Sequence, residues 1–134
     1  MKTAVTVVRV LLGLMLVVFG LNGFLQFLPQ PPAPEAGGAY LGALLGAGVL
    51  QVVKVFEVVI GALLLAGRFV PLALVMLVPI AVNIVLYHVT FDVAGGVGAY
   101  VVAAMTAFLL WAYRGALMPL LTSRAEPLAA PARL

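Results

Sequence analysis

The chain has 134 residues, 66% of them hydrophobic, with only seven Lys or Arg and four Asp or Glu. A soluble domain carries about a quarter charged residues, so this composition excludes a water-covered surface and reads as an integral membrane protein. The net charge of +3 is too small and too scattered for a nucleic-acid surface, and a chain without cysteine makes no disulfide, thiolate metal site or iron–sulfur cluster of its own.

A spanning helix needs about 20 mostly apolar residues. The first such run covers residues 5–28. Lys2 precedes it, as in a signal peptide, but the run is too long for an h-region and no small-x-small site follows. It is therefore expected to be retained. The segment Pro29-Gln30-Pro31-Pro32-Ala33-Pro34 breaks the helix, because proline lacks the N–H and clashes with the preceding turn. Residues 36–48 are rich in Gly and Ala and predict a short interfacial helix or an extension of the second span.

The second span covers 49–66 and the third 69–88. Gly67 to Pro71 predicts a tight hairpin between them, with proline in the first turn of the next helix. Residues 90–96 form the third connection, and 97–113 the fourth span. The predicted fold is an all-α, integral membrane four-helix bundle. Residues 1–121 form one transmembrane domain and 122–134 a flexible tail with Pro127 and Pro131.

Positive residues set the orientation. Lys2, Arg9, Arg68, Arg114, Arg124 and Arg133 fall on one side of a four-span chain, and Glu35 and Asp92 on the other. Glu126 lies in the tail. Both termini are expected in the cytoplasm, in a bacterial inner membrane. Trp111 and Tyr113 then lie near the inner interface, and Tyr40, Tyr87 and Tyr100 near the outer one.

Lys54 and Glu57 are the charged residues that remain deep inside a span. Such residues are costly in the bilayer and mark functional sites by default. Their i, i+3 spacing puts them on one helix face, together with Gln51, Gly61 and Arg68. Helical rise sets Glu57 about 16 Å from Arg68, near the midplane, and Lys54 about 5 Å further out. Phe19, Asn22 and Gln26 share a face of span one; Pro79, Asn83 and Tyr87 share a face of span three. His88 and Asp92 sit at the outer mouth. Together Asn22, Gln26, Gln51, Lys54, Glu57, Asn83, Tyr87 and His88 predict one polar ligand pocket in the outer half of the membrane. The structural alternative is a self-neutralised Lys54–Glu57 pair, with the amides bonding helix to helix.

Arg9, Gly13, Gly20 and Gly23 share a face, as do Ala99, Ala103 and Ala107, and Gly42 to Gly46 is a GxxxG. These small residues read as close packing inside the bundle rather than a dedicated dimer face. The sequence has no HExxH, P-loop or GxSxG and one histidine, so it offers neither a catalytic motif nor a metal-ligand set.

The stretch Gly20-Leu21-Asn22-Gly23-Phe24-Leu25-Gln26-Phe27-Leu28-Pro29 resembles the first-helix signature of the DoxX-like membrane proteins. Lys54-Val55-Phe56-Glu57, Gly61 to Leu65, Gly67 to Leu74, Pro79, Asn83 to His88 and Trp111-Ala112-Tyr113-Arg114 extend the resemblance over residues 5–121. Gly23 departs from it, standing where many such proteins are expected to carry a basic residue or His. The resemblance implies a four-helix bundle linked to quinone-handling or oxidative-stress complexes. With the Lys54, Glu57, Asn83 and His88 cluster on an apolar bundle, the expected function is a binding module for a small amphiphile, a quinone or lipid, or an accessory subunit with a membrane or soluble redox partner. Homo-oligomers are compatible with it. Other functions compete: a proton-coupled transporter built on Glu57, or an assembly factor for membrane proteins. Lys54 beside Glu57 repels cations, and the charge bias fixes one orientation, which weighs against the transporter.

Overall fold

The computed structural model describes residues 1–125 and Pro127. Glu126 and residues 128–134, which include Arg133 and Pro131, lie outside the described residues. All regular structure among the described residues is helical. Four helices are long and apolar enough to cross a membrane.

Helix α1 is Lys2–Leu25. It ends three residues before the predicted limit at residue 28, because Gln26 turns left-handed at φ 49°. The Asn22 Oδ1 then accepts the Leu28 N–H at 2.7 Å, a local cap that stops the helix although the sequence stays apolar. The proline segment leads to α2, Glu35–Gly46, with Glu35 in its first turn, where a carboxylate suits the helix dipole. Gly48, at φ 77°, separates α2 from α3, Val49–Ala66. The Gly- and Ala-rich segment is therefore a helix of its own rather than a continuation of α3.

Gly67 closes α3 at φ 67°. Its N–H reaches Leu64 O at 3.2 Å and the Arg68 N–H reaches Leu63 O at 3.1 Å, the paired bonds of a Schellman cap. Phe69, left-handed at φ 53°, caps the start of α4, Val70–Phe91, with Pro71 in its first turn. The predicted third span, 69–88, thus starts one residue early and stops three short. The extra residues are held by aromatic packing: the Phe91 ring lies 5.7 Å from Tyr40 of α2 and 5.4 Å from Tyr87. The Asp92 carboxylate accepts the Gly95 N–H at 3.1 Å, and a 3-10 turn over Ala94–Gly96 leads into α5, Val97–Ala112. The fourth span therefore ends one residue before the predicted 113. A short helix α6, Arg114–Leu117, and a further 3-10 turn follow.

Helix α1 packs chiefly on α3, α3 on α4, α4 on α5, and α5 returns to α1, closing a four-helix bundle. Helix α2 rests against α3 and α4 at one end. The start of α1, the α3–α4 hairpin and the end of α5 share the other end, because Arg9 meets Gly67, and Lys2 and Arg114 line one cleft. Leu12, Leu16, Ile60, Leu64, Leu74, Leu77 and Leu109 fill the core. Outside them the helices stay apolar: Phe19, Val52, Val59, Leu72, Val82, Leu86 and Val101 are exposed. A surface that large and that apolar needs hydrocarbon around it.

Candidate functional site

The site is built on the α1–α3 seam. Gly13, Gly20 and Gly23 of α1 meet Gly61, Val58 and Lys54 of α3. A Cβ on Gly13 would lie 2.9 Å from Gly61 O, and one on Gly61 would lie 2.7 Å from Gly13 O. The two backbones are therefore in contact, as small residues allow. The face read from Arg9, Gly13, Gly20 and Gly23 is the packing face. Arg9 closes one end of the seam by donating from Nη1 to Leu64 O.

Lys54 lies at the other end. A Cβ on Gly23 would sit 2.6 Å from Lys54 Cγ and 2.8 Å from Cδ. The lysine stem thus crosses α1 in the space that Gly23 leaves. Its Nζ donates to both Glu57 oxygens, at 2.8 Å and 3.1 Å. The Glu57 carboxylate is buried, 3% exposed, whereas the Lys54 side chain keeps 23% of its surface. The pair is thus asymmetric: a carboxylate sealed in the bundle holds a lysine whose side chain is part-exposed.

Five of the other six predicted site residues have partners of their own. Asn22 is buried and spends its Oδ1 on capping α1. Gln26 is the exposed left-handed residue after that cap. Gln51 is exposed and donates to Leu45 O at 3.2 Å, across the α2–α3 joint. Asn83 is exposed on α4 and donates to Pro79 O at 2.8 Å. Tyr87 packs with Tyr40 and Phe91, and its hydroxyl lies where a Cβ on Gly37 would be, 2.7 Å away. His88 packs edge-on against Tyr87, with Nδ1 3.2 Å from Asp92 O. The structure joins Lys54 to Glu57 by direct contact; Asn22, Gln51, Tyr87 and His88 brace helix ends and connections, while Asn83 bonds within α4.

Thr106 is a buried polar residue that sequence reasoning missed. Its hydroxyl donates to Val102 O at 2.7 Å within α5. A lone threonine on an apolar helix carries no signal beyond its polarity. Among the described residues every buried side-chain nitrogen and oxygen has a hydrogen-bond partner. No group of three or more His, Asp or Glu able to hold a metal is found among them. Open concavities among the described residues flank the bundle, two of them of note. One, of about 270 Å³, is an apolar groove between α4 and α5 that includes Val82, Leu86 and Ala107. The other, of about 490 Å³, lies between the first turns of α1 and the end of α5. Neither is lined by any of the eight predicted residues.

The arrangement can offer a cation at a fixed height on an apolar surface. A lysine ammonium has three N–H donors on a compact charge, and Glu57 aims it. No family model, curated protein or solved structure matches the chain.

Proposed function

We propose that this chain is a DoxX-like membrane module that holds a small amphiphile, a quinone or a lipid, through the Lys54 ammonium, and does no chemistry alone. The observation that carries this reading is the asymmetric pair: Glu57 sealed at 3% exposure and Lys54 open at 23%. Leaving the lysine part-exposed lowers the desolvation cost that sealing both charges would carry, and it leaves side-chain surface that a ligand can meet. In this reading the part-exposed Lys54 turns a free N–H donor to a carbonyl or phosphate oxygen arriving from the bilayer. The exposed Phe19, Phe24 and Val55 offer apolar surface on the same two helices.

In this reading the protein resides in a bacterial inner membrane with both termini in the cytoplasm, and the pair lies toward the outer leaflet. Its role is accessory, delivering or storing the amphiphile for a redox partner. The fixed partner of Glu57 weighs against exchanging its proton for an external cation.

The test is organic extraction and mass spectrometry of protein purified in mild detergent. Wild type should carry a quinone or a specific lipid in near-stoichiometric amount. Lys54→Met should lose most of it, and Glu57→Gln, which leaves the ammonium unaimed, should lose part. Retention of the same species by both variants, or no species in any, overturns the proposal.

A further inference from the structure

The geometry points to a second site, at the opposite end of the bundle, for the anionic headgroup of a glycerophospholipid. The cleft of about 490 Å³ between α1 and α5 carries Lys2 and Thr6 on one wall and Trp111, Tyr113 and Arg114 on the other. No acidic residue is among the described residues that line it. The Arg114 guanidinium lies 4.7 Å from the centre of the Trp111 ring and donates to Trp111 O at 2.8 Å. Ring and backbone fix its plane and spend one of five N–H donors. Stacking on an aromatic face is the mode in which arginine presents its remaining donors to a phosphate. Lys2 supplies a second positive charge, and the Thr6 hydroxyl a neutral donor about 6 Å further along α1.

The height of the cleft selects the ligand. It spans the first turns of α1 and the last turn of α5, where spanning helices meet the headgroup layer. Tryptophan and tyrosine are enriched at that layer, and basic clefts between helices there bind lipid headgroups. Val5 and Ala112 line the cleft beside the polar groups. They supply an apolar surface for the start of an acyl chain, which a free phosphate does not need. This site shares no residue with the Lys54–Glu57 pair, so each stands or falls separately.

The experiment is native mass spectrometry of the full chain with phosphatidylglycerol or phosphatidylcholine added at equal concentration. Phosphatidylglycerol should be retained preferentially. The double variant Lys2→Gln/Arg114→Gln should bind it more weakly by about fivefold for each charge removed. Arg68→Gln removes one charge at the same end, outside the cleft, and should leave retention unchanged. Equal retention of the two lipids, an equal loss in Arg68→Gln, or no loss in the double variant overturns the proposal. Displacement of the lipid by millimolar inorganic phosphate overturns the lipid as its source. Thermal unfolding of the double variant should match wild type, since both side chains are on the surface.

Discussion

Lys54 and Glu57 show how far a residue pair can be read from spacing. The i, i+3 interval fixed their shared face, and the structure joins them at 2.8 Å. Gly23, across the seam, makes room for the Lys54 stem, and no spacing within one helix reports that. Removing one partner leaves the other uncompensated, so Glu57→Leu should destabilise the protein by about 3 kcal/mol. Lys54→Met/Glu57→Leu should recover most of that loss, since an apolar pair of similar volume often matches a buried ion pair. A double-mutant cycle by thermal unfolding in detergent measures both. Recovery of stability without recovery of bound amphiphile would separate the pair's use from its contribution to folding. Asn22 belongs to the same scale. Its face predicts a pocket residue, and in the structure its Oδ1 accepts the Leu28 N–H and caps α1. Asn22→Leu should cost about 1 kcal/mol and leave amphiphile content unchanged, by the same unfolding and extraction measurements.

Among the elements, α3 was legible in full, residues 49–66 in both sequence and structure. Glycines mark both of its ends, and an apolar run bounded that way leaves no freedom. The ends of α1 and α4 were less legible. A left-handed Gln26 stops the first, and the Tyr40–Phe91 stack extends the second. Both depend on residues outside the periodic run. The glycines divide in the same manner. A Cβ on Gly61 would meet the backbone of α1, whereas one on Gly42 of α2 finds nothing within 4 Å. Gly61→Ala should therefore force the helices apart and lower stability by about 2 kcal/mol. Gly42→Ala should raise it by about 0.5 kcal/mol, the ordinary gain of alanine over glycine in a helix. Opposite shifts in unfolding temperature are the expected result. The two positions look alike in sequence, since each sits among small and apolar neighbours.

At the scale of the molecule, composition alone set the class: few charges and an apolar exterior. The up-and-down order followed from the positions of the breaks. Grouping eight polar residues into one pocket asks more of periodicity, which names a face without naming the helix that faces it. Gln51 and Asn83 bond to Leu45 O and Pro79 O. The proposed orientation has a direct test, because the chain has no cysteine of its own. A single thiol at Glu35→Cys should react with an impermeant maleimide in intact cells. One at Ser123→Cys should react only after the membrane is opened. The reverse pattern would invert the bundle and place the pair in the inner leaflet.

The i, i+3 geometry of Lys54 and Glu57 also bears on biosynthesis. Each ionised group taken singly into the middle of a bilayer costs about 3 kcal/mol at the insertion machinery. Both charges here belong to one helix, and the lysine reaches back to its own carboxylate. Helix α3 can therefore partition into lipid as a segment of zero net charge, without waiting for a counter-ion from α4 or α5. The same two side chains on separate helices would make insertion of each segment conditional on the other. Here the charged part of the fold is matched as soon as α3 has left the ribosome and coiled.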